Sequence, residues 1–138
     1  MFKKIMVPVD LAHVGSLDRA LACAADLAAQ HGAEIVYVGV TAPTPGAIAH
    51  SPSEFAAKLA EFAAGQASQH GVTTTSHMVQ SHDPAVDIDK SLLKAVADTG
   101  ADLVVMHSHK PGLSDYIFEG HGPYLAQHAK ASVLLVRD

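Results

Sequence analysis

Cysteine is almost absent from this chain: Cys23 is the only one in 138 residues, so no disulfide can close within it. That usage fits a reducing compartment, and a cytoplasmic location is the expectation. Cys23 lies in an alanine-rich helical stretch, where a buried core thiol is expected and a nucleophile is not. Long hydrophobic runs are missing too. No apolar stretch approaches the roughly 18 residues of a membrane helix, so no membrane partner is expected. The opening "MFKKIMVPVD" carries two lysines, but its apolar part is five residues broken by Pro8. It reads as a first strand and not as a secretory signal. Positive charge is sparse and scattered: the formal net charge is −5, and no basic run exceeds Lys3–Lys4. Without a basic footprint, nucleic acid is not an expected partner. Familiar catalytic landmarks are also lacking. There is no G-x-S-x-G elbow, no H-x-x-x-H zinc helix and no Walker A lysine loop. "HSH" (107–109) sets a serine between two histidines, but sequence neighbours make a poor triad. Repeats, low-complexity tracts and linkers are absent as well, so residues 1–138 are expected to form a single domain.

What is present is a strict alternation of element types. Apolar residues make up 49% of the chain and charged ones 17%, enough for a real core. "KKIMVPV" (3–9) and "EIVYVGV" (34–40) are continuous apolar runs of strand length. "TTTSHMVQS" (73–81) is a weaker strand, and "ADLVVMHS" (101–108) and "SVLLVRD" (132–138) complete a set of five. Between them lie helical patterns. Leu17, Leu21, Ala24 and Ala28 recur at helical spacing before Gly32. Ser51, Pro52 and Glu54 form a capping box ahead of Phe55, Leu59 and Phe62, and Gly71 ends that helix. Asp83 and Pro84 open a third helix with Ile88, Leu92 and Val96 on one side. A short helix near Tyr124–Lys130 precedes the last strand. Strands that are apolar throughout must be covered on both faces. The order therefore predicts an α/β fold, with helices on both sides of one parallel sheet.

In such a sheet, ligands lie beyond the carboxyl ends of the strands where strand order reverses. If the first and fourth strands flank that point, "VPVD" (Val7–Asp10) meets "MHSH" (Met106–His109), with Val40–Thr41 nearby. A nucleotide there needs an apolar slot for its base, which Val9 and Val40 can line. It needs a carboxylate for its ribose, for which Asp10 is the candidate. It also needs backbone N–H groups for its phosphates, which residues 112–125 can supply. Asp10 reads equally well as a turn or capping residue after a strand.

Three segments carry a resemblance over the whole length: "KKIMVPVD", "ADLVVMHSHKPG" and "LAQHAKASVLLVRD". Together they resemble the universal stress protein family (UspA-type). The resemblance implies a Rossmann-like, adenine nucleotide alpha hydrolase-like fold with strand order 3-2-1-4-5. It implies a cytoplasmic, commonly homodimeric stress-response protein that works by binding and signalling, with slow ATP hydrolysis at most. One branch of the family binds ATP and carries G-x-x-G-x9-G-[S/T] after the fourth strand. On this chain His107 takes the first glycine, Lys110 the second, Gly120 the third and His121 the Ser/Thr. The spacing is kept, but one residue type of the four matches. "SHKP" (108–111) resembles a variant bend of the family.

The implied nucleotide contacts are Pro8, Val9, Asp10, Val40, Thr41, Met106, His107, His109, Lys110, Gly112, Gly120, His121 and Gly122. The implied ligand is ATP, ADP or AMP, with Mg2+ accompanying ATP. Against this stand the bulk of His121 and the missing N–H of Pro123. Between Pro84 and Ala101 the third helix is about one turn longer than the family pattern. Asp87, Asp89 and Lys90 are expected there on a solvated extension.

Two other readings stay open. One is a pure interaction or signalling dimer with a degenerate phosphate loop and an unidentified regulatory protein partner. The other uses the histidine content, ten in all. His107, His109 and His121, with Asp10, would suit zinc or copper if they converge. The last strand, Ser132–Asp138, would be a bare sheet edge, and in the family that strand commonly pairs with its twin.

Overall fold

The computed structural model describes residues 1–108, 118 and 120–137. Strands and helices alternate as β1 (Lys4–Pro8), α1 (Asp18–His31), β2 (Glu34–Thr41), α2 (Pro52–His70), β3 (Thr74–Gln80), α3 (Pro84–Thr99), β4 (Leu103–Ser108), α4 (Gly122–His128) and β5 (Ser132–Arg137). All strand pairs are parallel and the order is β3-β2-β1-β4-β5, as the resemblance implied. The chain moves one way from β1 to β3 and the other way from β4 to β5. The order therefore reverses between β1 and β4.

Strand parity divides the core. Ile5, Val7, Val9, Ile35, Tyr37, Leu103 and Val105 face α1 and α2, packing on Leu21, Ala24, Leu59 and Ala63. The intervening Met6, Val36, Val38, Val40, Val104 and Met106 face α3 and α4, packing on Ile88, Leu92 and Leu125. This is why β1, β2 and β4 read as unbroken apolar runs: each successive side chain enters one of two cores.

The helix boundaries follow their local chemistry. Gly32 and Gly71 close α1 and α2 with φ of 66° and 67°, and Gly100 closes α3 at 70°. Ser51 Oγ accepts from the Glu54 N–H at 3.1 Å, as a cap should. The reciprocal half of the box is displaced by one residue: Glu54 Oε2 accepts from the N–H of His50 at 3.1 Å, not from that of Ser51. Asp83 stands at the N-cap of α3, where the sequence puts the helix start, but makes no side-chain capping bond. The first helical pattern is α1, and a 3-10 segment at Leu11–Leu17 precedes it that the sequence pattern does not mark. Cys23 is half-buried and not fully inside. The short helix begins two residues earlier than the sequence pattern suggests, at Gly122.

Candidate ligand-binding site

The strand reversal opens a crevice because β1 and β4 pair only briefly, at Ile5↔Leu103 and Met6↔Val104. Beyond those residues the two strands part. β1 ends at Pro8, while β2 runs on to Thr41. The N–H of Val9 still donates to Val38 O at 2.8 Å. Backbone groups alternate sides along a strand, so Val40 turns its N–H and C=O the same way as Val38. There β1 is no longer present to receive them. The carbonyl of Thr41 points oppositely and accepts from Ser81 N at 2.8 Å.

A cavity of about 210 Å³ lies at this step. Val9, Asp10, Val40 and Thr41 line it, together with Leu11, Ala12, Phe55, Pro84 and the 42–49 loop. Its volume is below the roughly 300 Å³ at which pockets for whole drug-sized ligands begin. The space is of the order of a planar base and short of a whole nucleotide. The loop wall is fastened to α2. Gly46 N donates to Ala49 O at 2.9 Å, and Lys58 Nζ donates to Ile48 O. The His50 N–H, donated to the Glu54 carboxylate, is the main cause of that carboxylate's lowered pKa; Lys58 adds to it.

Asp10 is both a cap and a cavity residue. Its Oδ1 accepts from Ala12 N at 3.0 Å, starting the 3-10 segment. Its Oδ2 lies 2.9 Å from His13 Nδ1. An ionised carboxylate can only accept, so the imidazole proton sits on Nδ1. The Asp10 side chain is 16% exposed, and each oxygen keeps acceptor capacity toward the cavity.

The other residues singled out from the sequence fall into distinct places. Pro8 and Met106 are buried in the sheet and do not line the cavity. His107 lies on β4 opposite Val136. Gly120 takes a left-handed φ of 79°, a turn that favours glycine. Gly122 is buried, and a Cβ there would collide with the Leu135 side chain. Its lack of a side chain thus serves the packing of α4 on β5. His121 turns toward α3: its Nδ1 lies 2.7 Å from Asp89 Oδ1. Asp89 is therefore not on a merely solvated extension; it is half-buried and joined to the residue that replaces the Ser/Thr. His109, Lys110 and Gly112 lie outside the described residues. Among the described residues, no three His, Cys, Asp or Glu side chains gather to hold a metal, and no helix is long and apolar enough to cross a membrane.

Sequence reasoning missed His13, Asp89 and the 42–49 wall. His13 had a signal, an Asp-x-x-His at turn spacing. Asp89 had none, since it meets His121 across 32 positions.

A five-stranded parallel sheet with a cavity at its switch point defines a Rossmann-like α/β protein. Comparison with known proteins narrows that class. The family model for the universal stress protein family matches residues 1–137, and the chain belongs to that family. Universal stress protein G of Shigella flexneri is 26% identical over 147 aligned positions, covering 99% of this chain and 100% of that protein. A crystal structure of a family member from Burkholderia pseudomallei superposes with a TM-score of 0.65 at 25% identity, covering 97% of this chain and 95% of that one. An Arabidopsis thaliana family member, solved with AMP bound, gives a TM-score of 0.64 at 17% identity, covering 98% and 90%.

Proposed function

We propose that this protein is a stress-response binding and signalling protein whose cavity takes an adenine nucleotide at the carboxyl ends of β1 and β4. One observation carries the reading: Val40 turns an N–H and a C=O, side by side, past the end of β1 into a base-sized apolar slot that also holds Asp10. Adenine offers the matching edge, an acceptor at N1 beside the N6 donor. Guanine offers the reverse polarity. Asp10 would receive ribose hydroxyls at the mouth. The AMP-bound Arabidopsis relative shares this fold and is consistent with the assignment. The protein would act by binding and not by turnover, in the cytoplasm, as a dimer. ATP, if it binds, would bring its own Mg2+.

Calorimetric titration of the full chain with adenosine, AMP, ADP and ATP, with and without Mg2+, tests the reading. Saturable heat with the adenine series and none with guanosine is expected. Saturation at a hundred times the dissociation constant would also stabilise the fold by about 2.7 kcal/mol. Asp10→Ala should weaken binding by about tenfold, the worth of one charge-assisted hydrogen bond. Unchanged affinity would remove Asp10 from the site. No heat at millimolar adenine nucleotide would leave an interaction module with an unused pocket.

A further inference from the structure

Between the end of β3 and one face of α3 lies a second cavity, of about 320 Å³, that shares no lining residue with the first. We infer that it is a separate ligand site, and that it takes a phosphate monoester of a small hydroxylated molecule. The inference does not depend on the adenine reading above.

Two buried hydroxyls carry it. Val79 and Ser81 line the strand side; Asp87, Lys90, Ser91 and Lys94 line the helix side. The helical four stand at i, i+3, i+4 and i+7, which makes them one stripe along α3. Ser91 is buried with the core, 6% exposed, yet its hydroxyl makes no hydrogen bond among the described residues. A helical serine can return its proton to the carbonyl four residues back. Thr99 in the same helix does so, donating to Ala95 O at 2.7 Å; Ser91 does not. Ser81 holds the strand register, its N–H donating to Thr41 O at 2.8 Å. Val79 packs into the core that faces α3, so by alternation the Ser81 side chain turns toward α3 as well. Its hydroxyl is also buried without a partner among the described residues. A buried donor left unpaired is costly, and turning about χ1 lets each hydroxyl meet a ligand in the cavity. A solvated lysine face would need no such hydroxyls behind it.

Charge along the stripe selects the ligand. Lys94 Nζ lies 2.6 Å from Asp98 Oδ2, so its charge is shared. Lys90 is exposed and has no ion pair among the described residues. A phosphate monoester carries about −1.5 to −2 at pH 7, with three strong acceptor oxygens. Lys90, Lys94 and the serines are donors that match it. Asp87 stands at the other end of the stripe, seven residues or about 10.5 Å along the axis from Lys94. A second anionic group would be repelled there, whereas ligand hydroxyls would donate to the carboxylate.

Amide NMR titration of the full chain with glycerol 3-phosphate, at pH 7 and fixed ionic strength, tests this. Saturable shifts centred on Ser81 and on Lys90–Lys94 are expected, with none from glycerol and weaker binding of inorganic phosphate. Lys90→Ala and Ser91→Ala should each weaken binding by about tenfold, the worth of one hydrogen bond to a charged group. Without ligand, Ser91→Ala should have a urea midpoint no lower than the parent's, since it removes a hydroxyl with no partner. A lower midpoint would give that hydroxyl a structural role and overturn its place in the site. No saturable shift at millimolar glycerol 3-phosphate overturns the inference. So do shifts centred on Gly120–Gly122 instead, or affinity unchanged in both variants. Equal affinity for inorganic phosphate would overturn the hydroxylated body.

Discussion

Tyr37 lies at the middle of the sheet with 0% of its surface exposed, and its hydroxyl has no hydrogen-bond partner among the described residues. Its ring packs edge-on to Phe62, with centroids 5.3 Å apart. Burial pushes the phenol up to about 12. A buried hydroxyl without a partner costs more than the small polar gain of keeping it. Tyr37→Phe keeps the ring contact and removes that cost, so it should stabilise the protein by about 1 kcal/mol. The urea midpoint at unchanged slope measures this. The pH dependence has a definite sign. A phenol harder to ionise in the fold than in the unfolded chain contributes stability below the unfolded value of 10.0, and that contribution is lost as pH rises toward about 12. The variant should lack this alkaline decline. A variant weaker than the parent would show that the hydroxyl has a partner. Sequence alone marks Tyr37 only as one apolar position in a run. Asp10 is more legible, because a carboxylate ending an apolar strand is rare enough to notice. Its two roles, cap and cavity residue, coexist because each oxygen has more than one lone pair. His121 was legible as an oddity, but its partner Asp89 depends on how α3 and α4 pack.

At the scale of elements, glycines set how closely α2 and α4 approach the sheet. A Cβ on Gly39 would lie 2.7 and 2.8 Å from two ring atoms of Phe55. Phe55 is 7% exposed and forms part of the cavity wall, so the ring can give way only by moving into the cavity. Gly39→Ala should cost about 1–3 kcal/mol, the range for overpacking a dense core, and should weaken ligand binding at the same time. Gly122→Ala meets only the Leu135 side chain, Cγ included, which is 37% exposed and can swing outward. Its cost should stay below about 1 kcal/mol. Denaturation of the two variants side by side checks the order; equal costs would mean that α2 shifts away from β2 as freely as Leu135 turns. The glycine that ends a helix is legible because the left-handed residue follows a broken period, as at Gly32 and Gly71. Gly39 interrupts a strand pattern without explaining itself, since the reason is a ring sixteen positions on. The cavity wall at 42–49 was hidden for the same reason. Its prolines mark a loop, but the hold of Lys58 and Glu54 on that loop arises only once α2 is in place.

For the whole molecule, the two edges of the sheet differ. β3 is polar along much of its length, "TTSHMVQ", with its side toward α3 joined by the His77–Asp98 approach at 3.9 Å. β5 reads "SVLLVR" and leaves Leu134 and Leu135, on opposite faces, each 37% exposed. The Ser132 N–H donates inward to Asp102 O at 3.1 Å. By alternation, Ser132 and Leu134 serve the ladder with β4, while Val133 and Leu135 turn their backbone groups to the open side. An apolar edge with outward donors and acceptors is a template for another strand. A second copy supplies one by a two-fold operation, with the same patch on both partners. The protein should therefore run as a dimer in light scattering at micromolar concentration. Leu134→Lys tests the edge with little cost to the fold, because the side chain is already partly in water. Across a two-fold axis it would set like charges close together, so the mass should halve while circular dichroism is unchanged. A parent that is already monomeric would refute association through β5. A variant that remains dimeric would place the contact elsewhere on the surface.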